Sequence, residues 1–148
     1  MPDRKQISFS EAKKLLERYN IKISGEICRG NIESLSEAAE RLGYPVVLKT
    51  SSEKIVHKSD IGAVIVNIKN RNQLEEALEK INRNVEKAGY KKQDEFLIQK
   101  MAVNGFEVLI GAHQDPVFGP LIITGSGGKY VELLKDTAPG IGKLTEKD

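Results

Sequence analysis

Two apolar runs rich in β-branched residues, with a polar loop between them, dominate the hydrophobic pattern of this chain. The first is Tyr44-Pro45-Val46-Val47-Leu48, ending in Lys49, and the second is Val64-Ile65-Val66-Asn67-Ile68; each predicts a strand. Between them run Thr50-Ser51-Ser52-Glu53-Lys54 and then His57-Lys58-Ser59-Asp60-Ile61-Gly62, rich in hydroxyls and cations. Two strands holding such a loop make a clamp for an anion, and the phosphates of a nucleotide are the anion that suits it best.

The remaining pattern alternates between helical and strand periods. Ser8 with Glu11 forms a capping box, and Phe9, Ala12, Leu15, Leu16 and Tyr19 recur at helical spacing, which predicts a helix over 9–19. Residues 21–28 alternate as a half-buried strand. Ser34 with Glu37 reads as a second capping box, Leu35, Ala38, Ala39 and Leu42 as an apolar face, and Gly43 as a left-handed stop, so this helix is expected beside the 46–49 strand. Asn72 and Glu75 open a third helix with the stripe Leu74, Ala77, Leu78, Ile81 and Val85, closing at Gly89. Strands are expected at 96–101 and 106–112, paired antiparallel across a turn at Val103-Asn104-Gly105, and at 120–124 after a turn at His113-Gln114-Asp115-Pro116. Gly125-Ser126-Gly127-Gly128 is a loop before the run from Tyr130 to Leu134, and 136–143 reads as irregular. Thr145 with Glu146, Lys147 and Asp148 looks like the start of a helix.

Composition narrows the field. The 148 residues suffice for one ordinary domain or two small lobes, with 39% apolar content to build a core. The formal charge of +2, with both signs mixed along the chain, gives no basic stripe of the kind nucleic-acid binders carry. No apolar run is long enough to cross a bilayer, the N-terminus has no signal-peptide core, and one cysteine, Cys28, makes no internal disulfide. A cytoplasmic protein is the expectation.

The candidate chemistry follows from position. Lys49, at the end of an apolar strand, can reach phosphate oxygens while its stem packs on the sheet. His57, Lys58, Ser59 and Asp60 supply an imidazole, a cation, a hydroxyl and a carboxylate, and an imidazole held at one nitrogen leaves the other as a nucleophile toward phosphorus. Glu107 and Glu132 are candidates for a ribose hydroxyl or a magnesium ion. Gly127 and Gly128 offer close backbone approach to a phosphate, although the loop lacks Walker A spacing. Each has a plainer alternative: a surface lysine, a solvated loop, edge charges, a hairpin turn. His113 reads as a turn residue and Cys28 as core, and neither builds a metal site.

The order of these segments carries more than any one of them. Pro45-Val46-Val47-Leu48-Lys49, His57-Lys58-Ser59-Asp60-Ile61-Gly62, Leu97-Ile98-Gln99-Lys100-Met101, Gly105-Phe106-Glu107-Val108, Asp115-Pro116-Val117-Phe118-Gly119-Pro120 and Gly125-Ser126-Gly127-Gly128-Lys129-Tyr130-Val131-Glu132 succeed one another. This resembles the ATP-grasp domain of ADP-forming acyl-CoA synthetases, in particular their β subunit. The resemblance implies an α+β fold of two lobes, with mixed or antiparallel sheets and helices packed on one face, the first lobe at 1–95 and a second, incomplete one at 96–148. It implies that Lys49 and Lys58 meet the phosphates of ATP or ADP, that Gln99, Lys100 and Met101 form a hinge against the adenine, and that Glu107 binds the ribose, with Gly127 and Gly128 also at the nucleotide. His57 matches the histidine that relays a phosphoryl group to ADP from a second histidine on a CoA-binding α subunit.

The chain departs from that pattern at Ala63, Lys100, Ser126, Lys129, Pro139-Gly140 and Lys143, and the family's magnesium ligands fall beyond the matching region. An incomplete grasp that needs another chain for turnover is the expectation, in a homo- or hetero-oligomer. A nucleotide-binding module without turnover, or a structural domain derived from the same fold, stands beside it.

Overall fold

The computed structural model describes residues 7–52, 54–55, 57–102, 105–128, 136–142 and 144–145. The expected strand from Tyr130 to Leu134, with Glu132 in it, lies outside the described residues, as do Lys129, the turn at Val103-Asn104 and most of the helix start after Thr145. The chain divides into two compact units, Met1–Met101 and Ala102–Asp148.

In the first unit, helix α1 (Phe9–Glu17) begins at the Ser8 capping box, in which the Ser8 hydroxyl accepts from the Glu11 amide and the Glu11 carboxylate accepts from the Ser8 amide. Strand β1 (Glu26–Arg29), helix α2 (Ile32–Leu42), strands β2 (Val46–Thr50) and β3 (Val64–Ile68), helix α3 (Arg71–Lys87) and strand β4 (Glu95–Lys100) complete it. The sheet is antiparallel throughout, in the order β1-β4-β2-β3.

Alternation along the strands decides which side is covered. Val46, Leu48 and Thr50 of β2 are buried, and the register sets Leu48 opposite Ile98 and Thr50 opposite Phe96. Val46, Leu48, Phe96 and Ile98 form one apolar cluster with Leu35, Ala38 and Ala39 of α2 and Leu74, Ala77, Ile81 and Val85 of α3. Both helices therefore lie on one face, and Val47, Lys49 and Gln99 belong to the other.

Several boundaries differ from expectation for physical reasons. Helix α2 is capped by Asn31, whose side chain accepts from the Ser34 amide, because Asn31 lies one turn earlier than Ser34 and offers a carbonyl oxygen in the same geometry. That helix rests on β1 and β4, while α3 covers β2 and β3. Asn70 likewise caps α3 in place of Asn72. Strand β1 is shorter than 21–28, since Gly25 has φ +137 and breaks the extended run.

The second unit is a three-stranded antiparallel sheet in the order β5-β6-β7, from β5 (Val108–Asp115), β6 (Gly119–Ser126) and β7 (Thr137–Ile141). The 96–101 and 106–112 runs are not partners: β4 fills the place between β1 and β2, and β5 pairs with β6. His113 lies within β5, and the turn comes later, where the Asp115 carboxylate accepts from the amides of Val117 and Phe118. The stretch expected to be irregular contains β7, whose Pro139 and Gly140 pair with Ile123 and Ile122. As an edge strand β7 can hold a proline. None of the described residues of this unit is buried.

Candidate functional site

Lys49 stands on the face of the first sheet opposite α2 and α3. Val64 pairs with it on one side and Leu97 on the other, and Val47 pairs with Gln99, so Lys49 and Gln99 are diagonal neighbours. Half-burial comes first and the charge of Lys58 second in holding the Lys49 ammonium below the ordinary lysine range. Burial disfavours the charged amine, and an anion bound beside it would offset that cost, which is the electrostatic condition for binding one.

The loop that follows is built as an arch with apolar feet. Ile55 and Ala63 are buried and Ile61 packs against the core. Between these feet the Asp60 amide donates to the His57 carbonyl (3.2 Å), that of Gly62 to Ser59 (3.0 Å) and that of Ala63 to Lys58 (2.8 Å). The Thr50 amide donates to the Ala63 carbonyl (3.3 Å), which ties the end of the arch to the end of β2. His57 is at its rim, 81% exposed, with Nδ1 3.8 Å from an Asp60 oxygen. That separation is too long for a hydrogen bond, so Asp60 faces the ring without holding it.

The expected hinge residues are placed by the end of β4. Gln99 donates to the Ser24 carbonyl (2.7 Å), and the Lys100 amide donates to the Ser24 hydroxyl (3.3 Å). The Lys100 ammonium donates to the carbonyls of Gly43 and Tyr44, just past the C-terminus of α2, where a cation complements the helix dipole. Both side chains are thus engaged within the fold. The Met101 amide donates to the Pro45 carbonyl at 3.1 Å.

In the second unit, Glu107, Gly127 and Gly128 come together. The Gly127 amide donates to the Glu107 carbonyl at 2.7 Å, and a Cβ on Gly127 would stand 2.8 Å from the Glu107 carbonyl carbon. A Cβ on Gly128, whose φ is +76, would stand 2.7 Å from a carboxylate oxygen of Glu107. Gly127 therefore serves by lacking a side chain, its N–H being spent on the protein. Ser126 donates its hydroxyl to the Asp136 carboxylate at 2.9 Å. Glu107, Ser126 and Asp136 line an open concavity of about 530 Å³ with Val108, Leu109 and Ile110.

Among the described residues no group of three or more His, Cys, Asp or Glu could hold a metal ion, so the residues present do not fit a magnesium site. Cys28 is half-buried against the core, and burial raises its thiol pKa, leaving it a poor nucleophile. Asn84, which donates to the Gly62 carbonyl, was not legible as a site residue.

This fold and this arrangement define the class: the chain belongs to the ATP-grasp domain family, whose model matches residues 2–148. It is 41% identical over 140 residues to acetate–CoA ligase [ADP-forming] I of Archaeoglobus fulgidus, covering 94% of this chain and 20% of that protein. It is 40% identical over 141 residues to the β subunit of acetate–CoA ligase [ADP-forming] II of Pyrococcus furiosus, covering 93% of this chain and 59% of that subunit. Among solved structures, the dinucleotide forming acetyl-coenzyme A synthetase 1 of Ca. Korarchaeum cryptofilum, in complex with coenzyme A, Ca-AMPCP and HgCl+, superposes with a TM-score of 0.87 at 34% identity over 99% of this chain and 64% of that one. The same protein in complex with coenzyme A and Mg-AMPPCP, its phosphohistidine segment pointing towards the nucleotide binding site, gives a TM-score of 0.76 at 34% identity over 96% and 59%. The chain thus spans from a fifth to about three-fifths of the length of these curated relatives. No described helix is long and apolar enough to cross a membrane.

Proposed function

We propose that this chain is the nucleotide-binding component of an ADP-forming acid–CoA ligase. Acyl-CoA, ADP and phosphate would give acid, CoA and ATP, with a CoA-binding partner making the acyl phosphate. The observation that carries this reading is Lys49, a half-buried cation beside Lys58 on the sheet face opposite α2 and α3, at the foot of the arch that exposes His57. In the relay a phosphorus–nitrogen bond forms on His57 as the donor histidine's own breaks, and attack by a terminal oxygen of ADP then breaks it to give ATP. Lys49 and Lys58 serve by neutralising oxygen charge and fixing the phosphates, which is most of what phosphoryl transfer asks of a protein. Glu107, beside Gly127 and Gly128, is assigned to the ribose, and Gln99 to Met101 to the adenine. Magnesium accompanies the nucleotide in the Korarchaeum complex, and here its ligands are assigned to a segment outside this chain. The two units, which divide after Met101 rather than at residue 95, are assigned to the two lobes of the grasp, and a cytoplasmic setting suits ADP and acyl-CoA.

A nucleotide-binding module without turnover stands as the second reading. One measurement tests the nucleotide binding common to both readings, and a second tests the relay that only the first reading contains. Millimolar ADP with magnesium raises the melting temperature under both, because a ligand of the folded state stabilises it; no rise rejects both. His57→Ala abolishes phosphoryl transfer in the assembled complex and leaves the melting temperature unchanged, since the ring touches little. Turnover that survives His57→Ala removes His57 from the mechanism.

A further inference from the structure

Gly62 and Asn84 are fitted to each other. The Asn84 side-chain amide donates to the Gly62 carbonyl at 3.0 Å, across 22 positions of chain. Gly62 has φ +66, and a Cβ there would stand 2.6 Å from the Asn84 amide nitrogen. Only glycine both adopts that backbone conformation without strain and lets the amide reach the carbonyl. Asn84 is itself half-buried, between Ile81 and Val85 of the packed stripe of α3, so its position is set by the core. The bond reaches the arch one residue before Ala63, whose carbonyl accepts from Thr50 next to Lys49.

We propose that Asn84 is a positioning residue for His57: its hydrogen bond fixes the end of the 57–62 arch against α3, so that the imidazole and Lys58 are held at the Lys49 end of β2. The inference rests on the phosphoryl relay proposed above. The apolar feet at Ile55, Ile61 and Ala63 keep the loop attached to the core, and the backbone bonds within the arch hold its shape without tying it to α3. The Asn84 bond supplies a direction, which nonpolar contact does not.

The test uses the full chain with Asn84→Leu, which keeps size and loses the donor, and Asn84→Asp, which sets an acceptor against the carbonyl. Amide hydrogen exchange at Gly62 and Ala63 should accelerate about ten-fold in both variants, the worth of one lost hydrogen bond, while Leu48 and Ile65 stay within about two-fold. Unchanged exchange at Gly62 and Ala63, or equal loss of protection across β2 and β3, overturns the proposal. In the assembled complex kcat should fall about ten-fold and the KM for ADP rise by less, because Lys49 keeps its place on β2 and only Lys58 shifts with the imidazole. A rise in KM with kcat unchanged overturns it too. If His57→Ala is inactive and the Asn84 variants turn over normally, the positioning role fails alone. If His57→Ala retains turnover, the relay itself fails, even where loop exchange responds as expected.

Discussion

Lys49 shows how one residue's surroundings become a measurable pH dependence. Its folded pKa lies below the ordinary 10.5, first by burial and then by the charge of Lys58. Between the lowered value and 10.5 the unfolded chain holds the proton and the folded chain releases it, so stability rises with pH across that window. Below the window the cost of the buried cation is fully present, and above it the cost is gone. Nucleotide binding runs the other way: ADP affinity should fall as pH rises through the window, because the neutral amine no longer attracts phosphate. Calorimetric titration of ADP against pH checks this, and Lys49→Arg, charged throughout, should remove that decline. At neutral pH Lys49→Met should weaken ADP about ten-fold or more, in line with the loss of a charge-assisted contact of about 1.5–3 kcal/mol; an equal dissociation constant counts against the phosphate role. The position of Lys49 at a strand end was legible because an apolar run precedes it, and that of His57 in a loop because two such runs flank it. Asn84 and Ser24 were not, since their partners, Gly62 and Lys100, lie 22 and 76 positions away in sequence and nothing local marks the pairing.

The elements were legible to different depths for a reason of range. Helices α1 and α3 carry their stripes in sequence-local spacing, and their positions followed from it; the cap of α2 moved to Asn31 because several residues in one turn compete for that role. Strand partners are a long-range property. The 96–101 run was recognisable as a strand, yet its insertion between β1 and β2 depends on burying Phe96 and Ile98 under the helices, which a neighbouring hairpin could not offer. β7 escaped notice because Pro139 and Gly140 weaken every local strand signal, and only pairing with β6 makes it one. The central place of β4 has an energetic corollary. Phe96 is fully buried in the cluster shared by both helices, so Phe96→Ala should cost about 3–5 kcal/mol by denaturant titration, with ADP affinity preserved where the protein remains folded. A loss below 1 kcal/mol would mean that the cluster is not the core of this unit.

The two units differ in what sustains them. The first has a buried cluster of fifteen apolar residues, whereas none of the described residues in the second is buried. A sheet with no fully buried side chain among its described residues has less to resist local opening. Amides of β5, β6 and β7 should accordingly exchange faster than those of β2 and β4 in the isolated chain, and equal protection would require a cover for the second sheet. The resemblance made this asymmetry expectable in outline, since the relatives are longer; the strand registers came only from the fold.

Phe106, Val108, Ile110, Val117 and Phe118 leave most of their nonpolar surface in water. Solutes excluded from such surface raise the free energy of leaving it wet, and sulfate is among the strongest of them. Clarity of a concentrated solution should therefore be lost at lower ammonium sulfate than the modest charge of +2 alone would suggest. Replacing Val108 and Ile110 by threonine should move that threshold upward.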